Sequence, residues 1–78
     1  MRKYYVIKFE NRPDGEVNQT MEARQSFATA MAQFYAWAST ASATTNFVSV
    51  ALTVMDNNGK IIENKLIPTA YEPETVSD

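Results

Sequence analysis

Seventy-eight residues, 45% of them hydrophobic, with a formal charge of −2 and neither cysteine nor histidine, describe one small globular domain near the lower limit for a self-sufficient core. The missing cysteines exclude disulfides and thiolate metal sites; the missing histidines exclude the usual zinc ligands, the Ser-His-Asp triad and the common general base near neutral pH. Nine acidic against seven basic residues argue against a broad phosphate-binding surface.

The opening stretch "KYYVIKFE" (3–10) is rich in aromatic and β-branched residues and reads as a strand. Tyr5, Ile7 and Phe9 lie on one side of it and Tyr4, Val6 and Lys8 on the other, the pattern of a central strand covered on both faces. "NRPDG" (11–15) supplies turn chemistry: Pro13 fixes φ, Asp14 closes a turn through its carboxylate, and Gly15 accepts positive φ. The returning arm "EVNQTMEAR" (16–24) sets Val17, Gln19, Met21 and Ala23 against a polar side, as an edge strand does. "MEARQ" (21–25) is also good helix material, so residues 21–25 stay open between strand and helix; Ser26, a competent N-cap, marks the boundary.

From Ser26 the period is helical. Phe27, Ala30, Met31, Phe34, Ala38 and Ala41 form one stripe, flanked by Tyr35 and Trp37, with Thr29, Ala32, Gln33, Ala36, Ser39, Thr40 and Ala43 behind. The helix fades within "SATTN" (42–46), where threonine and asparagine lower its propensity. "FVSVALTVM" (47–55) alternates strictly, with Val48, Val50, Leu52 and Val54 on the expected core side and Phe47, Ser49, Ala51, Thr53 and Met55 on the other. Asn58-Gly59 is a strong hairpin signal, and "KIIENKLI" (60–67) is the last strand, with Ile61, Glu63, Lys65 and Ile67 opposing Ile62, Asn64 and Leu66. The expected fold is α+β: a ββαββ domain over residues 1–68, with a four-stranded antiparallel sheet in the order 2-1-3-4 and one helix across one face. Residues 69–78 hold a proline and three acidic residues and read as a flexible tail.

Residues 25–55 contain no Asp, Glu, Lys or Arg, whereas a helix on the surface of a soluble protein normally turns a charged face to water. The stretch is long enough to span a membrane, but Gln33, Asn46 and many hydroxyls interrupt it, and it has no Leu or Ile before Leu52. The apolar run at the N-terminus is too short for a signal peptide, so the expectation is a cytoplasmic protein outside the membrane. Protein rather than water then covers part of the charge-free segment, and the leading expectation is a non-enzymatic interaction module, most simply a homodimer with twofold symmetry. Two surfaces qualify. One is the helix side bearing Gln33, Ala36 and Thr40, bordered by Trp37, which lies about 80° from the stripe centre at 100° per residue. The other is the far face of the sheet, where Phe47, Met55, Ile61 and Ile67 exceed what one helix covers.

The stretch "KYYVIKFENRPDGEVNQTM", an alanine-rich helix with "FYAW", and a hairpin turning at "DNNG" together resemble small uncharacterised proteins encoded by bacterial phages and integrative mobile elements. The likeness covers roughly residues 3–67; it implies no activity, and it adds a host protein as a conceivable partner. The alternative function, of another class, is single-stranded nucleic-acid binding. Tyr4, Tyr5 and Phe9 beside Lys3 and Lys8 have the makings of a stacking platform, although a central strand needs large residues on both faces in any case. Glu10, Asp14 and Glu16 surround the first turn without the spacing of a calcium loop. Asn18-Gln19-Thr20 matches a glycosylation pattern by chance in a chain read as cytoplasmic. No cofactor, metal or catalytic constellation is expected, since no paired carboxylates, phosphate cradle or activated nucleophile emerges.

Overall fold

The computed structural model describes residues 3–73. In chain order the elements are β1 (Tyr4–Asn11), β2 (Val17–Arg24), α1 (Phe27–Ala43), β3 (Ser49–Asp56) and β4 (Ile61–Pro68). The strands form one antiparallel sheet in the order β2-β1-β3-β4, as expected. Residues 21–24 belong to the strand, because each pairs with β1 from Ile7↔Met21 to Tyr4↔Arg24; cross-strand pairing overrides their helix propensity.

Both hairpins turn where glycine reaches positive φ, at Gly15 (91°) and Gly59 (84°). In the first, the Asp14 carboxylate accepts the Glu16 amide at 2.9 Å. In the second, Asp56 Oδ1 accepts the amides of Asn58 and Lys60, both at 2.9 Å. Ser26 caps α1 in extended conformation (φ −133°, ψ 154°), its hydroxyl accepting the Thr29 amide at 3.1 Å. No acidic residue stands in the first turn of α1 and no basic residue in the last, so this cap carries the N-terminus without help from side-chain charge. Ser26→Ala should therefore cost about 1 kcal/mol and Ser26→Gly only a few tenths, a difference that urea unfolding followed by circular dichroism resolves.

Seventeen helical residues span about the same ~26 Å as an eight-residue strand, and α1 lies across the two central strands, β1 and β3. Phe27 meets the Tyr4 ring edge-on at 6.0 Å, and Trp37 sits over Lys8. Val6, Val50, Leu52 and Val54 are fully enclosed beneath it, joined by Tyr4, Ile67, Ala30, Phe34 and Ala41; Met31, Trp37, Ala38 and Phe47 pack against this cluster. Phe27, expected on the core stripe, is 47% exposed because it stands in the first turn of α1, at the margin of the sheet.

Two expectations about sidedness are corrected. The alternation read through Phe47 and Val48 begins only at Ser49: residues 47 and 48 belong to the connection, where Phe47 turns onto the core and Val48 is exposed. In β4, Ile67 pairs with Val50 and is buried beneath α1, so the far-face assignment of Ile67, Glu63 and Lys65 is reversed. A register shift at Val54/Met55 then returns Ile61 to a place opposite Met55. One inserted residue thus breaks the parity of the strand.

Past β4 the backbone stays attached to the α1–β3 connection. The Thr69 hydroxyl is shared between the carbonyls of Phe47 and Val48, and the Ala70 amide donates to Thr44 O at 2.9 Å. The remainder of the expected tail, residues 74–78, lies outside the described residues.

Candidate interaction surface

Side chains alternate across a strand, and directly opposed residues share a face. Because Val6, Val50, Leu52 and Val54 face α1, the other side of the sheet can be read from the register. Its rows run Ala23–Tyr5–Met55–Ile61 and Met21–Ile7–Thr53–Asn64 across β2, β1, β3 and β4. Two further rows follow, Gln19–Phe9–Ala51–Leu66 and Val17–Asn11–Ser49–Pro68. No position in these rows is Asp, Glu, Lys or Arg. No element of the described chain covers this face: its marginal side chains Val17, Met21, Ile61 and Leu66 are 51–64% exposed, and Tyr5, Ile7, Phe9 and Met55 are shielded only in part.

The distribution of charge is the reverse of the ordinary two-layer arrangement, in which the uncovered face of an antiparallel sheet is polar. Every Asp, Glu, Lys and Arg of the four strands stands on the helix side, namely Lys8, Glu10, Glu22, Arg24, Asp56, Glu63 and Lys65. There they flank the narrow core or serve it. Lys8 Nζ lies 4.6 Å from the Trp37 ring centroid and 3.6 Å from Glu10. Arg24 donates to Gln33 Oε1 at 2.7 Å and to the Ala23 carbonyl at 2.9 Å, and lies 3.6 Å from Glu22. Glu63 and Lys65 extend into water from the edge strand.

The relief of the open face is uneven. On the two central strands, β1 carries the large Tyr5, Ile7 and Phe9, while β3 opposite them carries Met55, Thr53 and Ala51, followed by Ser49. A ridge therefore runs beside a trough that is shallowest at Met55 and open toward Ser49.

The candidate residues divide accordingly. Met55 and Ile61 lie on the open face; Ile67 and Phe47 belong to the core. Trp37 and Gln33, one helical turn apart, are engaged within the chain by Lys8 and Arg24, filling the border where β2 presents no apolar side chain. Ala36 and Thr40 are exposed on the outer helix side. The Thr40 hydroxyl donates back to Ala36 O and that of Ser42 to Ser39 O, so the helix meets water with small groups satisfied by its own backbone. Tyr4 and Lys8 stand on the helix side and Tyr5 and Phe9 on the open side, so the sheet separates the members of the supposed stacking platform; Lys3 is exposed just before β1.

The carboxylates around the first turn are drawn apart: Glu10 lies near Lys8, and Asp14 pairs with Arg12 at 3.1 Å. Among the described residues no group of three or more acidic side chains is placed to hold a metal ion. A depression of about 500 Å³ lies at the β3–β4 turn, lined by Tyr4, Asp56, Lys60, turn asparagines and Ile61 and Ile62 of β4, but the Asp56 carboxylate already closes that turn. No described helix is long and apolar enough to cross a membrane. The open-face residues that the sequence reading did not single out as candidates include Ile7, Met21, Ala51 and Leu66. Their signal was the strand parity shared by the charged positions, which the uncharged positions oppose. No protein-family model matches the chain, and comparison with curated proteins and with solved structures finds no match for it.

Proposed function

We propose that the chain is a non-enzymatic protein-interaction module that works as a homodimer. The observation that supports it is the open sheet face: a full layer of the domain without an ionised side chain, left uncovered while the strand charges stand on the opposite side. So small a core leaves much apolar surface in water, and burial against a second subunit supplies what the single chain lacks. An accessory role in a phage or mobile element, with a host protein as further partner, is a compatible reading that rests on the resemblance of residues 3–67. Light scattering on the eluting protein at about 100 μM, well above the dissociation constants of specific dimers, should give about twice the 8.8 kDa chain mass. A mass of one chain under those conditions rejects the proposal.

A further inference from the structure

We infer that the partner on the open face is a second copy of the same chain, packed sheet on sheet about a twofold axis that runs along the strands between β1 and β3. This rests on the self-association proposed above and adds the surface and its geometry.

The first argument is electrostatic. An isologous contact brings a surface against itself, so any charge on it meets its own like unless it is offset. The open face has none, and a self-pairing sheet meets no repulsion in any register. Edge-to-edge extension of the sheet is less suited, since the outer strands β2 and β4 carry Glu22, Arg24, Glu63 and Lys65.

The second argument is area. Four strands at ~4.8 Å spacing and eight residues at ~3.3 Å rise make a face of about 500 Å² in projection. A pair then removes about 1,000 Å² before side-chain relief is counted, about the minimum for a specific interface. Two copies of one sheet also match in width and twist, as the aligned packing of β-sandwiches requires.

The third argument is shape, and it selects the axis. Rotation about an in-plane axis parallel to the strands, midway between the central pair, carries β1 of one copy over β3 of the other. The ridge of Tyr5, Ile7 and Phe9 then lies against the trough that includes Thr53, Ala51 and Ser49. An axis across the strands would instead set ridge on ridge.

The experiment compares dimer dissociation by sedimentation equilibrium for the wild type, Ile7→Lys, Met21→Lys and Ala36→Lys, with circular dichroism confirming the fold of each. A lysine at position 7 becomes an unpaired charge within the interface, and dissociation should increase about 100-fold or more. Met21 is 57% exposed in the single chain, so its lysine variant folds without strain and should weaken the dimer in the same direction even if Ile7→Lys misfolds. Ala36→Lys, on the outer helix side, should leave the constant unchanged. A wild-type dimer that survives both sheet variants but is lost in Ala36→Lys refutes the sheet interface while keeping self-association. A wild type that sediments as a single chain refutes both.

Discussion

Truncation of Phe34 to alanine is expected to lower the unfolding free energy by about 4 kcal/mol, the range found for large aromatic side chains removed from cores. Phe34 is 3% exposed and is the largest side chain that α1 places wholly within the core; its helix neighbours there are Ala30 and Ala41, which have little volume to offer in compensation. A domain of this size holds roughly 4–12 kcal/mol in total, so the variant should lose about a third or more of its stability. Phe27→Ala is the matched comparison. Its ring is 47% exposed and touches Tyr4 edge-on, which limits the loss to about 1 kcal/mol. Urea titration of both variants at low protein concentration separates folding from association. Equal losses would mean that α1 is anchored otherwise than by Phe34.

The second large effect is an exchange across the proposed interface. Phe9→Ala removes a block from the ridge, and twofold symmetry removes it twice per dimer. At about 1.4 kcal/mol for each contact, dissociation should increase about 100-fold. Ala51→Phe alone fills the trough and should weaken pairing to a comparable degree. Together, Phe9→Ala and Ala51→Phe exchange ridge and trough at that level, and the double variant should recover to within about tenfold of the wild type. The two positions are Cα partners in neighbouring strands, so the exchange conserves the apolar volume of the row and leaves the single chain intact. Additive losses in the double variant, seen by sedimentation equilibrium, would rule out the axis between β1 and β3.

The strands, the helix and their order were legible because each rests on local chemistry. The turn residues Asp14-Gly15 and Asn58-Gly59 fix two hairpins, Ser26 starts the helix, and the apolar character of "KYYVIKFE" and "FVSVALTVM" puts those strands at the centre. Sidedness was less legible. β4 has apolar residues at both parities, Ile61 and Ile67 on one and Ile62 and Leu66 on the other, and the register shift at Met55 makes alternation uninformative along it. Phe47 was misplaced because a strand pattern was extended into a connection, where the backbone is free to turn a side chain back onto the core. Trp37 and Gln33 gave the appearance of an exposed helix border. Their contacts with Lys8 and Arg24 depend on which face of β1 and β2 the helix covers, and that is a tertiary fact. The open face itself emerges only when four strands are laid side by side, because no single strand announces that its uncharged parity continues across its neighbours.

Trp37 is the only tryptophan in the chain, and its indole lies beneath the helix with the Lys8 ammonium close to the ring. Its fluorescence consequently responds to the undocking of α1, whereas the proposed pairing takes place on the reverse of the sheet, the side of Tyr5. The single indole thus reports the docking of the helix from one side of the layer alone, so that subunit folding can be timed without a label and apart from any event on the opposite side.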